Sequence, residues 1–108
     1  MVHTSFAISH ILTSLILIAV SIPLVFRKVG LNRWYGFRFS KSYESDELWY
    51  KINIYGGRQM IIWSIPLWLL GIGLLFIPIH GVWVPCLALA PLIVLVPIYL
   101  SWRYARSL

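Results

Sequence analysis

The sequence predicts an all-α, polytopic membrane protein with three transmembrane helices and a cytoplasmic loop that contains a short amphipathic helix. Of its 108 residues, 60% are hydrophobic and only 11% are charged. A soluble domain of this length would have to leave part of that hydrophobic surface exposed to water. The charges are also clustered: ten of the twelve lie in residues 27–58, and the other two are Arg103 and Arg106. We therefore expect a single membrane domain over residues 1–108.

Three charge-free blocks remain, and each matches the ~20 residues that a helix needs to cross ~30 Å of hydrocarbon. They predict spans at about residues 5–26, 59–79 and 82–102, with a loop at 27–58. The first block is interpreted as a retained span, because a signal peptide carries its positive charge before the apolar run. Prolines at 85, 91 and 97 predict a bent third span.

The basic residues predict the orientation. Seven of the nine lie in the loop and two near the C-terminus, whereas the N-terminus and the second loop carry none. The positive-inside rule then places the loop and the C-terminus in the cytoplasm, the N-terminus outside, and the protein in the inner (plasma) membrane as a multi-pass chain. This rule and anionic lipid explain the net charge of +6, so we expect the lipid bilayer and no nucleic acid as a partner.

A polar stripe follows one face of the first span at His3, Ala7, His10, Ser14 and Ser21. Small and polar residues in a membrane helix are typical of a surface that packs against other helices. Two alternatives stay open: His10 as a ligand of haem or pigment, held by this chain or by a partner, and a metal site formed with His3 and His80. We expect neither a metal nor a cofactor, and Cys86 is expected to be an apolar packing residue.

The loop itself divides into a turn and a helix. Residues 30–38 contain Gly30, Asn32 and Gly36, which favour turns, and Ser45 followed by two acidic residues predicts a helix start. On that helix Trp49, Asn53 and Gly57 recur every four residues and share one face. A buried asparagine needs hydrogen-bond partners, so we expect the turn to dock on this face and Arg38 and Arg58 to meet Asp46, Glu47 or a lipid phosphate.

The pattern Asn32-x-x-Tyr35-Gly36-Phe37-Arg38, followed by Trp49-x-x-x-Asn53-x-x-x-Gly57, resembles the SdpI family over about residues 22–75. That family is named for a bacterial membrane protein that gives immunity to a secreted killing peptide, and this chain is similar to its short, single-domain form. The resemblance implies a protein of the immunity and signalling type, whose cytoplasmic loop binds a protein partner such as a transcriptional regulator. The residues that it implies for the binding surface are Asn32, Tyr35, Gly36, Arg38, Trp49, Asn53 and Gly57.

Other functions remain possible from the residues alone. The main alternative is an accessory structural subunit of a larger membrane complex, respiratory or photosynthetic, in which a small tryptophan-rich chain fills gaps. An enzyme or transporter is not expected, since the spans carry no ionisable side chain except His10. No nucleophile–base pair or carboxylate pair suggests catalytic residues.

Overall fold

The computed structural model describes residues 2–77 and 88–108, with side chains from Thr4 onward. The described chain forms three α-helices: α1 (Val2–Val25), α2 (Asp46–Phe76) and α3 (Leu95–Ser107). Short 3-10 helices precede α2, at Ser40–Tyr43, and α3, at Ala90–Val94. The all-helical class is confirmed, and no strand occurs within these two ranges.

Helix α1 ends in a tight, hydrogen-bonded cap. The Arg27 amide donates to the Leu24 carbonyl at 3.3 Å, and the Lys28 amide donates to the Pro23 carbonyl at 2.9 Å. Arg27 has φ 59°, the left-handed conformation that this cap requires and that glycine usually supplies. Its guanidinium lies 4.4 Å from the centre of the Tyr50 ring on α2. The cap therefore turns the chain from α1 toward the first turns of α2.

Helix α2 runs without interruption from the loop into the second apolar block. Ser45 caps it by accepting a hydrogen bond from the Leu48 amide at 3.1 Å, and Asp46 and Glu47 lie at the positive end of the helix dipole. Its 31 residues span about 46 Å at ~1.5 Å per residue, well beyond the ~30 Å of a hydrocarbon core. The short helix expected in the loop from about Asp46 is therefore the first part of α2, and it continues directly into the second apolar block.

Helices α1 and α2 pack against each other as an antiparallel pair. A Cβ added to Gly71 would lie 3.1 Å from the Ala7 carbonyl, and one added to Gly57 would lie 3.1 Å from the Ser21 carbonyl. The backbones thus approach closely at both ends of the contact. The stripe on α1 is buried here at Ala7, His10, Ser14 and Ser21, as expected of a packing surface. The side chain of His3 lies outside the described side chains.

Helix α3 packs against α2 through a face of compact residues. Pro97, Ser101 and Ala105 recur every four residues and are all buried. Near the end of α3, the Tyr104 ring stacks on Tyr55 of α2 with centroids 4.2 Å apart and planes 8° apart. The expected third span, 82–102, lies only partly within the described residues. His80, Pro85 and Cys86 lie outside them. The described part of this span changes from 3-10 to α-helix between Pro91 and Pro97.

The long helices expose apolar side chains along their lengths. Both α1 and α2 are long and apolar enough to cross a membrane, yet only 22% and 28% of their apolar stretches are buried. The core helix of a soluble protein would be mostly buried. Large outward-facing side chains include Leu12, Ile16, Ile62, Leu69 and Leu75. This arrangement is typical of helices that face lipid.

The packing also gathers the positive charge at one end of the molecule. Because α1 and α3 both run antiparallel to α2, the end of α1, the start of α2 and the end of α3 lie together with the loop. The stacked pair Tyr55–Tyr104 places Arg103 and Arg106 at this end. All nine basic residues of the chain therefore belong to the same end of the helix bundle.

Candidate binding surface in the basic loop

The turn at residues 29–39 is organised by the side chain of Asn32. Its amide oxygen accepts hydrogen bonds from the backbone amides of Trp34, at 2.8 Å, and Tyr35, at 2.7 Å. Its amide nitrogen donates to the carbonyls of Gly30, at 2.8 Å, and Tyr35, at 3.0 Å. One side chain thus satisfies four backbone groups and closes the turn without regular secondary structure.

Tyr35 and Gly36 attach this turn to the two long helices. The Tyr35 hydroxyl donates to the Val20 carbonyl of α1. Gly36 has φ 118°, a conformation that side chains disfavour. A Cβ at Gly36 would lie 2.5 Å from the Asn53 Oδ1 atom and 3.2 Å from the Trp49 ring. The turn can approach α2 this closely because residue 36 has no side chain.

Asn53 of α2 holds the turn through Phe37. Its Oδ1 atom accepts from the Phe37 amide at 2.6 Å, and its Nδ2 atom donates to the carbonyls of Phe37, at 3.4 Å, and Trp49, at 2.9 Å. The asparagine is buried, so these bonds replace the water that its amide would otherwise need. The expected docking of the turn on this face of α2 is therefore observed.

Trp49 and Ser42 close the remaining sides of the docked loop. Trp49 is fully buried, and its indole nitrogen donates to the Val29 carbonyl at 3.0 Å. The Tyr43 ring lies 5.9 Å from the Trp49 ring, measured between centroids. Ser42 is also fully buried and donates to the Phe37 carbonyl at 2.8 Å. The loop is thus a packed unit with internal hydrogen bonds at both ends of the turn.

Gly57 does not receive the turn, and that part of the docking prediction is wrong. A Cβ at Gly57 would meet the Val25 side chain at 2.9 Å and the Ser21 carbonyl at 3.1 Å, both on α1. The close approach of the turn falls one residue earlier, where Gly56 faces the Phe37 ring. Residues 56 and 57 point in different directions around the helix, so one accommodates the loop and the other accommodates α1.

The arginines do not pair with the acids that the sequence suggested. Among the described residues the ion pairs are Lys41–Glu44, at 3.7 Å, and Lys51–Glu47, at 3.4 Å. Arg38 is exposed and donates from Nη1 to the Arg33 carbonyl. Arg38 and Arg58 therefore form no ion pair with Asp46 or Glu47 among the described residues, and the alternative contact with a lipid phosphate stays a prediction. Arg38 stabilises the turn through the Arg33 carbonyl.

Of the three histidines considered for a haem or metal site, only His10 has a described side chain. Its ring is buried between α1 and α2 and stacks on Phe6 with centroids 6.1 Å apart. In the part of the chain that the structure describes, no group of three or more His, Cys, Asp or Glu side chains is placed to hold a metal ion. The site that would combine His10 with His3 and His80 lies largely outside the described side chains.

The segment that contains the docked turn and the Trp49–Asn53 face matches a known protein family. Residues 28–101, well over half of the chain, match the sequence model of the SdpI/YfhL protein family. The chain belongs to the SdpI/YfhL family. It is an SdpI-type small membrane protein. The matched region contains the docked loop, α2 and most of the described residues 88–108. Neither the curated proteins nor the solved structures contain a match.

The structure divides the seven predicted binding residues of this SdpI-type chain into two groups. Five are buried or half-buried and shape the loop or the helix contact: Asn32, Gly36, Trp49, Asn53 and Gly57. Tyr35 and Arg38 also bond within the fold, to the Val20 and Arg33 carbonyls, but are exposed. Sequence reasoning left out Trp34, which is 90% exposed at the tip of the turn, and Phe37, which receives the Asn53 bonds. Trp34 lies inside the recognised motif, and its position between Arg33 and Arg38 was the signal available.

Arg38 lies between two surface cavities. The cavity on the polar side has a volume of about 600 Å³ and is lined by Leu31, Arg33, Arg38 and Tyr43. The other has a volume of about 540 Å³ and extends along α1 toward α3. A ligand or partner can therefore reach Arg38 from either side of the turn.

Proposed function

We propose that this SdpI-type protein is of the immunity and signalling type, and that its docked loop binds a protein partner in the cytoplasm. The observation that supports this most is the rigid presentation of Arg33 and Arg38 around an open cavity, beside an exposed Trp34. A loop that served only to connect two spans would not need a buried network of Asn53, Trp49 and Ser42. Preorganised surfaces bind with less loss of entropy than flexible ones.

The proposed contact surface is the cavity formed by Leu31, Arg33, Arg38 and Tyr43, which combines apolar walls with two guanidinium groups. Arginine and aromatic residues are enriched where protein interfaces concentrate their binding energy. Asn32, Gly36, Trp49 and Asn53 hold this surface in shape from behind. The partner should carry acidic groups that complement the two arginines, and a cytoplasmic regulator fits the family.

The test is site-specific photo-crosslinking from position 43 in native membranes, with adducts identified by mass spectrometry. We expect one dominant adduct that is lost in Arg33→Ala and Arg38→Ala. Lys51→Ala is the matched control, because it removes an exposed positive charge that pairs with Glu47 outside the cavity. Each exposed change should alter the free energy of unfolding by only about 0.5 kcal/mol or less.

Two results would contradict the proposal. If Arg38→Ala and Lys51→Ala retain the adduct equally, the cavity is not the contact surface and the motif only folds the loop. If the adducts are integral membrane proteins that stay with the chain through mild detergent extraction and a sizing column, the chain is an accessory subunit instead.

A further inference from the structure

The cavity of about 540 Å³ is a groove that follows the C-terminal half of α1. Its wall on α1 is apolar apart from Ser21, whose hydroxyl donates to the Leu17 carbonyl at 2.7 Å. Met60 of α2 and Ile98 of α3 extend the groove across the bundle. Residues 34–39 of the turn cover its upper end. Its α1 lining consists of Leu17, Val20, Ser21 and Leu24. A groove of this shape and chemistry fits a hydrocarbon chain.

The position of this groove along α1 places it beside the edge of the bilayer. The Tyr35 hydroxyl bonds to the Val20 carbonyl, which lies five residues before the end of α1 and so about 7.5 Å below it. With 24 residues, α1 is about 36 Å long against ~30 Å of hydrocarbon. The turn therefore reaches down to the headgroup level, where the exposed Trp34 is also expected.

The upper rim of the groove carries uncompensated positive charge. Arg38 lines the groove, and its contact with the Arg33 carbonyl keeps the two arginines together. Of the three acids in residues 27–58, Glu44 and Glu47 pair with lysines. Within the described residues neither Arg33 nor Arg38 has a carboxylate partner, and their guanidinium groups suit phosphate oxygens.

We propose that this groove binds one anionic phospholipid, with an acyl chain along Leu17, Val20 and Leu24 and the phosphate at Arg38. The apolar lining matches the chain, the rim matches the headgroup charge, and the groove opens at the depth where both occur together. The proposal depends on the membrane location of the chain and not on the protein partner, which would contact the opposite side of Arg38.

Native mass spectrometry of the purified full-length chain in mild detergent tests this directly. The probes are phosphatidylglycerol and phosphatidylcholine with the same palmitoyl and oleoyl chains, added together in equal amounts. We expect one retained phosphatidylglycerol per chain, favoured over phosphatidylcholine by about tenfold, which corresponds to ~1.4 kcal/mol. Arg38→Gln should abolish this headgroup preference, and inorganic phosphate should not displace the lipid, because it lacks the acyl chains.

A second pair of variants tests the acyl groove. Val20→Trp should fill the groove and lower the bound fraction about tenfold. Ile16→Trp is the matched control, since Ile16 is exposed on α1 but does not line the groove. If Val20→Trp lowers the melting temperature, Leu17→Trp replaces it, because Leu17 lines the same wall away from the Tyr35 bond.

The proposal is overturned if the groove-filling variant binds as much phosphatidylglycerol as Ile16→Trp. Equal retention of both lipids by the unsubstituted chain would also overturn it, since that pattern describes a non-specific lipid shell. The assay contains no protein partner, so a negative result leaves the proposed partner surface untouched. Loss of the crosslinked partner, in turn, leaves the lipid result unaffected.

Discussion

At the residue scale, two side-chain amides decide how the loop is built, that of the buried Asn53 and that of the half-buried Asn32. Asn32 forms hydrogen bonds with four backbone groups of its own turn. Asn53 on α2 forms hydrogen bonds with the amide and the carbonyl of Phe37. A backbone amide left unsatisfied in a buried position costs about 1–3 kcal/mol. The loop therefore depends on a few side chains, and replacing one of them should expose the loop backbone to water and protease.

Asn53→Ala should release the turn from α2 while the spans stay in place. It leaves the Phe37 amide and carbonyl without their Asn53 bonds, so we expect a loss of roughly 1–3 kcal/mol in loop stability. Limited proteolysis of residues 29–44 in membranes measures this. Lys51→Ala, two residues away on the exposed face of the same helix, should leave protection unchanged. Equal protection in both variants would show that the Asn53 bonds do not hold the loop.

Gly36→Ala should also loosen the turn, for a steric reason. The added Cβ would lie 2.5 Å from Asn53 Oδ1, at a φ of 118° that costs about 1–3 kcal/mol for other residues. Gly30→Ala is the control, because its Cβ would make an ordinary contact of 3.6 Å with the Tyr50 hydroxyl. The same proteolysis assay should therefore separate the two variants. A protected loop in Gly36→Ala would contradict the tight approach at residue 36.

At the scale of elements, the contact between α1 and α2 depends on small residues at its two ends. Gly71 accommodates Ile11 and the Ala7 carbonyl, and Gly57 accommodates the end of α1 at Ser21 and Val25. In a bilayer, lipid tails are as apolar as leucine, so close packing replaces the hydrophobic effect as the force that joins helices. Substitutions at these glycines should therefore act on the helix pair before they act on the loop.

Gly71→Leu should separate α1 from α2, because its Cβ alone would lie 2.7 Å from the Ile11 side chain. Overpacking of this kind costs about 1–3 kcal/mol, which should appear as a lower melting temperature in mild detergent. Gly73→Leu provides the control two residues away on the same helix, where a Cβ would meet no atom of the described residues within 4 Å. Equal melting temperatures for the two variants would refute the close approach at Gly71.

At the scale of the whole molecule, the antiparallel packing brings all nine basic residues to one end. A membrane protein with this asymmetry is expected to keep that end in the cytoplasm. Our proposals for the partner and for the lipid both place the loop on that side. The orientation can be tested without knowing either ligand.

We predict that the N-terminus faces outward and the C-terminus faces the cytoplasm. In a Cys86→Ser background, His3→Cys should react with an impermeant thiol reagent added to intact cells, and Ser107→Cys should react only after the membrane is opened. Labelling of both positions in opened cells controls for reactivity. The reverse pattern in intact cells would overturn the orientation and remove the cytoplasmic partner from the proposal.

Much of the fold and part of the candidate surface follow from local sequence pattern. Uncharged blocks locate α1 and the apolar part of α2, Ser45 with its two acids marks the start of α2, and the four-residue spacing of Trp49 and Asn53 places them on one face. These features depend on hydropathy, capping and helical periodicity, which act between residues close in the chain. The family pattern added the pairing of the turn with that face.

Only the tertiary structure decided which neighbours the remaining residues meet. Gly57 faces α1 and Gly56 faces Phe37, Arg38 braces the Arg33 carbonyl, and the groove forms where α1, the turn and α3 converge. Sequence pattern assigns a residue to a face of its own helix, but the atoms opposite that face belong to segments distant in the chain. Their distances depend on how three elements pack at once, and no local spacing encodes that geometry.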